Sequence, residues 1–311
     1  MKVLTEVDEE KIRPLLDSDT FFWLDLLDPD SAELERLSGM VGLHPAAIED
    51  SREWNQLPRL DDYGDHVLLI FFSAREVDDR VEPVEVHVYV SGSWIVTARR
   101  EETNLIRRRE WIAETEYKDE DEVLYRILDA LVDGWDPVID VLDQRVDEVE
   151  AVVLERPQQG QLTTVYRLKQ EVGDLLRRAH PMAGMFPGAV DTIHNLDGLS
   201  HGSREWLRDV DAHLDSIHSD LRRLASDLTA LTDTFFNANA NRLNQLATKI
   251  AIGSVFFLVW TLVTGFFGQN FGYLTRHIDS GHAFALYELG SLLLPTVVLA
   301  VIVYRRRADW L

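Results

Sequence analysis

The sequence contains no cysteine, which excludes disulfide scaffolds, thiolate metal sites, cysteine nucleophiles and CxxC redox chemistry. Oxygen and imidazole chemistry remain. Positive charge is also scarce: 31 lysines and arginines stand against 54 acidic residues, a net −23, and so acidic a chain is no partner for nucleic-acid phosphates. No HExxH, GxSxG, Walker or GxGxxG pattern occurs, so no motif points to an enzyme. With 46% apolar residues over 311 positions, the chain is still long and apolar enough to fold around a substantial core.

Charge of either sign is nearly missing from the last fifth. Between Ile250 and Leu311 only Arg276, Asp279, Glu288, Arg305, Arg306, Arg307 and Asp309 are charged, a balance of +1 that leaves −24 for residues 1–249. Ile250–Gln269 is an uncharged run of 20 residues. As a helix it spans roughly 30 Å, the thickness of bilayer hydrocarbon. Ala283–Tyr304 is a second run of 22, interrupted by Glu288 and Pro295 and followed by three arginines. Two buried core helices are the alternative, which fits poorly with helices apolar on every face for this length. Met1–Glu10 is polar and acidic, unlike a signal peptide, and the basic flanks Lys249, Arg305, Arg306 and Arg307 mark the cytoplasmic side. The expected topology in a cell membrane has both termini inside and a short loop outside.

The acidic part begins with strand and helix signals. Phe21–Leu26 and Val67–Phe72 are short apolar runs, and Val84, Val86, Val88 and Val90 alternate with polar residues before Ser91-Gly92-Ser93 and Trp94–Ala98, the pattern of a hairpin. Asp28-Pro29-Asp30-Ser31 starts a helix through Met40, and His44-Pro45 another through Asp50. Asp121–Leu154 reads as one long helix with Val138, Leu142, Val146, Val149 and Val153 on one face. After a break at Pro157–Gly160, a return helix is expected over Leu162–Arg178, with residues 180–202 as a linker.

From Ser203 onward, Val210, Leu214, Ile217, Leu221, Leu224, Leu228, Leu231 and Phe235 recur at alternating spacings of four and three, a heptad seam suited to helix–helix contacts between subunits. No Pro or Gly interrupts Ser203–Ile252, so one helix of more than sixty residues is expected to run from stalk into membrane. A second face of that helix carries Asp233, Asn237, Ala240, Asn244, Ala247, Ala251, Ser254, Leu258, Thr261 and Gly265, small or polar at most positions. Such a face either packs closely against another helix or lines water. Two helices cannot enclose a pore, so the second choice requires a ring of identical chains.

The membrane helix ends in Gly268-Gln269-Asn270. With the long helix before it, the basic cluster and Trp310-Leu311 at the C-terminus, and His44-Pro45, Glu49-Asp50, Pro58-Arg59 and Tyr63-Gly64-Asp65 upstream, the chain resembles the CorA family of divalent-cation channels over essentially its whole length. The resemblance implies an α+β cytoplasmic funnel, a stalk helix and two C-terminal transmembrane helices, assembled as a homopentamer in the lipid bilayer. It implies passive movement of divalent cations, Mg²⁺ first and Co²⁺ or Ni²⁺ besides. Gly268, Gln269 and Asn270 become the selectivity filter, Thr261 and Asn244 part of the bore, Asp233 its cytoplasmic end, and Asp209 a stalk carboxylate for regulatory Mg²⁺. A neutral ring of Asn270 amides suits a cation that dehydrates reluctantly. The sequence departs from the family in having Gly-Gln-Asn for Gly-Met-Asn, and Tyr273–Asp279 where an acidic Met-Pro-Glu-Leu usually follows. Zinc transporters occur among members with altered loops, so zinc is the alternative cargo, and His277 and His282 are candidate loop ligands. A non-conducting two-helix membrane sensor or scaffold is the alternative of another class. The expected division is residues 1–110, α/β domain; 111–202, helical hairpin and linker; 203–249, stalk; 250–270, first span; 271–282, outer loop; 283–304, second span; 305–311, basic tail.

Overall fold

The computed structural model describes residues 1–105, 120–155, 158–199, 204–269, 272–278 and 280–305. Two compact units divide the chain, residues 1–232 and 233–311.

The first unit is built on a six-stranded mixed sheet in the order β1-β2-β6-β5-β4-β3. β1 (Lys2–Leu4), β2 (Phe22–Leu27) and β6 (Trp94–Arg99) run parallel, while β5 (Arg80–Ser91), β4 (His66–Val77) and β3 (Arg59–Asp62) continue antiparallel. The alternating valines around the Ser91–Ser93 turn form the expected β5–β6 hairpin, with Val90 opposite Ile95. Between strands lie α1 (Glu9–Asp17), α2 (Ser31–Val41) and α3 (Pro45–Arg52). Asp30 caps α2 in a reciprocal box with Glu33, and the His44 ring accepts from the Ala46 amide at the start of α3. β1, α1 and β3 were not expected from the sequence: they are three, nine and four residues long, too short for a periodic signal.

Three corrections concern the helices that follow. The helix expected over Asp121–Leu154 is two, α4 (Glu120–Asp133) and α5 (Asp136–Glu155). The break falls at Gly134, where a Cβ would collide with the Ser73 hydroxyl, and at Trp135, which is fully buried and donates to the Phe72 carbonyl at 3.0 Å. The return helix does not stop near Arg178. As α6 (Gln159–His194) it continues past Pro181 and Pro187 into the expected linker as far as His194. Each proline removes a ladder hydrogen bond, but Ala179, Met182, Phe186, Ala189 and Ile193 are all buried, and Phe186 packs 6.0 Å from Phe71 on β4. Burial outweighs the local cost. Pro157 lies outside the described residues.

The third correction is the heptad seam. α7 (Arg204–Phe267) is 64 residues long, as the uninterrupted sequence implied, but every seam position from Val210 to Phe235 is at most 5% exposed within the single chain. The seam is not a surface between subunits. Its stretch up to Leu231 is sealed by the chain's own helices: Arg223 pairs with Asp143 of α5 at 2.9 Å, Lys169 of α6 donates to Thr229 at 3.2 Å, and His213 meets Asp136 at 2.9 Å.

Polar groups inside this unit are tied off locally. Asp25 pairs with Arg99, both without side-chain exposure, and accepts from Thr97, whose hydroxyl in turn accepts from the Trp23 indole at 3.0 Å. Ser51, His87 and Glu85 form a second chain, with Ser51 2.6 Å from His87 Nδ1 and His87 Nε2 2.8 Å from Glu85. These are the residue types of a nucleophilic triad. Ser51 and His87 have no exposure, however, and Ser51 is also bound to Tyr89, whose hydroxyl donates to the Ala47 carbonyl of α3. The network pins α3 to β5.

The second unit holds the rest of α7 with α8 (Gly272–His277), α9 (Gly281–Phe284), a π-helical turn at Ala285–Leu289 and α10 (Gly290–Arg305). The segment expected as a plain loop therefore includes the six-residue α8.

Candidate ion-conduction site

Among the described residues, two stretches of helix are long and apolar enough to cross a membrane, within Glu205–Phe267 and Gly281–Arg305, and neither apolar window is buried in the chain. Phe257, Leu258, Leu262, Leu294 and Val297 are among their exposed residues. Core helices would be covered. Apolar surface on this scale is stable only against lipid or further protein.

Within the second unit α7 is two-sided. Phe256, Val259, Val263 and Phe267 are half-buried, and the Trp260 indole donates to Thr296 of α10 at 2.9 Å. On the opposite side every position of the small-and-polar stripe is exposed: Asp233, Asn237, Ala240, Asn244, Ala247, Ala251, Ser254, Leu258, Thr261 and Gly265. α10 thus covers one face and leaves the stripe free. The Ser254 and Thr261 hydroxyls donate to the carbonyls four residues back, Ile250 at 2.9 Å and Phe257 at 2.7 Å. Their hydrogens are used within the helix, so the oxygen lone pairs remain to accept from water or to face a cation.

At the end of the helix the Gly268 amide donates to the Thr264 carbonyl at 2.8 Å, and the Gln269 amide to Phe266 at 3.3 Å, closing the last turn. A Cβ on Gly268 would press to 3.0 Å on the Thr264 carbonyl, so glycine keeps the turn tight. Asn270 lies outside the described residues, as do Arg306 and Arg307. Lys249 and Arg305 are exposed. The loop histidines His277 and His282 belong to no cluster of three or more metal-ligating side chains among the described residues.

Asp209 is exposed near the start of α7. The Tyr125 hydroxyl of α4 stands 3.5 Å from its carboxylate, and the Tyr125 ring lies tilted against Trp206 at a centroid distance of 5.9 Å. Burial, then the carboxylates Asp129 and Asp209, push the Tyr125 phenol above its usual range, so it remains a donor. Next to Asp209, Arg208 and Asp211 line a groove with Pro187, Val190, Asp191 and Leu207. Burial, and then Asp215, raise the Asp211 carboxyl. The Tyr125–Asp209 contact joins residues 84 apart in sequence, and no periodicity or spacing announces it.

Comparison with known proteins agrees with this geometry. The family model of the CorA-like Mg2+ transporter protein matches residues 18–306. A putative metal ion transporter of Bacillus subtilis, YfjQ, is 25% identical over 89% of this chain and 88% of its own length. The cobalt/magnesium transport protein CorA of Thermotoga maritima is 22% identical over 98% of this chain and 87% of its own. In three dimensions the complete CorA magnesium transporter of Methanocaldococcus jannaschii superposes with a TM-score of 0.77 over 93% of this chain and 91% of that one, at 18% identity, a likeness of fold. With the family matched over nearly its whole length and two uncovered apolar spans, the chain belongs to the CorA-like Mg2+ transporter family and is a membrane transporter of divalent cations.

Proposed function

We propose that the chain takes up Mg²⁺, with Co²⁺ and Ni²⁺ as lesser cargoes, through a homopentamer whose bore is the exposed face of α7 and whose outer mouth is Gly268-Gln269-Asn270. The observation that supports this reading is the two-sidedness of α7: α10 engages the Trp260 side, and the entire stripe from Asp233 to Gly265 is uncovered. One chain encloses no channel, so the stripe acquires a purpose only around a symmetry axis. Mg²⁺ gives up water reluctantly. Asn237, Asn244, Ser254 and Thr261 therefore serve as hydrogen-bonding partners of a hydrated ion, Asp233 attracts it at the inner end, and Leu258 forms an apolar constriction.

Both termini lie in the cytoplasm, with Lys249 and Arg305–Arg307 at the inner surface. The membrane potential then drives uptake, worth about 4.6 kcal/mol per 100 mV for a divalent ion. The −24 carried by residues 1–249 gives regulation a physical basis. Acidic faces repel one another around a ring, so Mg²⁺ bound at Asp209 favours a closed symmetric packing, and its loss loosens it.

The test is ion flux into proteoliposomes under an inside-negative potential, with Mg²⁺, Co²⁺, Ni²⁺ and Zn²⁺ at matched gradients. Mg²⁺ entry that internal Mg²⁺ suppresses, that Asn270→Ala abolishes and that Asp209→Lys restores at millimolar internal Mg²⁺ is the expected result. Zinc entry with little Mg²⁺ overturns the choice of ion. No flux of any ion overturns conduction and leaves a sensor.

A further inference from the structure

α6 and α7 are antiparallel neighbours, and His180 and His218 meet between them, His180 fourteen residues before the end of α6 and His218 fourteen after the start of α7. Nδ1 of His180 is 3.2 Å from Nε2 of His218, with ring centroids 4.9 Å apart and planes tilted by 39°. At that distance a single proton lies between the two nitrogens, and one ring donates while the other accepts. His180 is exposed and His218 half-buried, so the pair is open to solvent on one side.

Two nitrogens bound to one metal ion at 2.0–2.1 Å stand about 2.9–3.4 Å apart for bond angles between octahedral and tetrahedral. The observed 3.2 Å falls inside that interval. We propose that His180 and His218 form a binding site for a transition-metal dication, Zn²⁺, Ni²⁺ or Co²⁺, that clips α6 to α7 within each chain. The ion takes the place of the shared proton, which passes through solvent to the other nitrogen of the donating ring, so both rings stay neutral. Burial, then His180 and Arg222, hold His218 below the usual histidine range, with Asp215 acting the other way. That direction favours the uncharged ring, the form that binds a metal ion.

Among the described residues no third His, Asp or Glu completes a cluster, so water fills the remaining positions and the bound ion exchanges readily. From α7, Asp215 one turn before His218 offsets the positive charge of Arg222 one turn after it. On α6, Arg177 stands one turn before His180 with its charge engaged by Asp174. Mg²⁺ is a poor occupant, because it prefers oxygen ligands in near-ideal octahedra. The site does not depend on conduction. It would fasten to α6 the helix that carries the stripe, and so report soft dications separately from Mg²⁺.

Calorimetric titration of the full-length protein in detergent with Ni²⁺ and with Zn²⁺ at pH 7.5 tests the site. The control is a His277→Ala/His282→Ala variant, and circular dichroism confirms that each variant is folded. One micromolar site per chain is expected, unaffected by millimolar Mg²⁺ and kept in the control. It should weaken in His180→Ala and in His218→Ala by at least the roughly 10–100-fold that changes in outer-shell partners bring, and should be lost at pH 5.5. Absence of binding in the parent protein, unchanged affinity in both single histidine variants, or loss confined to the loop control would each overturn the proposal.

Discussion

The Asp25–Arg99 pair sets the cost of disturbing the sheet. Both side chains are without exposure, and Arg99 Nε and one of its terminal nitrogens have no hydrogen-bond partner among the described residues. Asp25 is therefore the carboxylate that offsets a guanidinium taken wholly out of water. Asp25→Ala removes it while Arg99 stays in place, and breaking a buried pair from one side costs about 3–5 kcal/mol. For a unit of residues 1–232 that corresponds to a fall of about 6–20 °C in Tm. Asp25→Leu with Arg99→Met removes both charges and keeps much of the volume, and is expected within about 1 kcal/mol of the parent or above it, since apolar replacement of buried pairs is often neutral or stabilising. Thermal unfolding of the full-length protein, followed by far-ultraviolet circular dichroism, measures all three. Loss of less than about 1 kcal/mol in Asp25→Ala, or a double variant as unstable as Asp25→Ala, would refute the argument.

Leu221→Ala empties a fully buried seam position and is expected to cost about 2–5 kcal/mol in the same melts, with no change in particle mass by light scattering; a changed assembly at unchanged stability would return the seam to the subunit interface. Gly134→Val drives a side chain into the Ser73 hydroxyl and should cost about 1–3 kcal/mol, with part recovered by Ser73→Gly. Burial raises the Glu171 carboxyl despite Arg145 and Arg167. A carboxyl that holds its proton more tightly when folded loses its contribution to stability as pH rises through and above the ordinary glutamate range. Glu171→Gln should therefore gain on the parent between pH 4 and pH 7 in urea unfolding, and the opposite trend would refute the assignment.

The membrane part was legible because its signals are absolute. Twenty residues without charge, a tripled arginine and an unbroken run into the first span leave few alternatives, and α7 is the 64-residue helix that they imply. The β5–β6 hairpin was legible from alternation and the Ser91–Ser93 turn, and α2 from Asp28-Pro29-Asp30-Ser31. What local pattern did not carry was tertiary choice. Pro181 and Pro187 read as the end of a helix, since the gain from burying Met182 and Phe186 on the sheet is a property of partners distant in sequence. The break at Gly134 has no local signal, since its obstruction is Ser73 on β4. The His180–His218 pair follows from the register of an antiparallel hairpin, which was hidden while residues 180–202 were read as linker.

α7 runs through both compact units, and its two faces are used differently. A period of 3.6 residues sets positions two apart on roughly opposite sides of a helix. Phe235 ends the buried seam and Asp233 begins the exposed stripe, and the structure places them accordingly, Phe235 at 4% exposure and Asp233 in the open. Had the seam been the contact between subunits, the stripe would have pointed away from any axis that the seam surrounds, and a pore along it would have been geometrically excluded. Because the seam is used up inside the chain, the side left over is the one that carries Asp233, Asn237 and Asn244. The correction to the seam thus removes the objection to the bore. It also makes Asp233→Lys a discriminating change: if the stripe lines the proposed bore, a cation from every chain at its inner end should halt divalent flux without altering the melt, whereas a stripe that merely packs against another helix predicts lost stability.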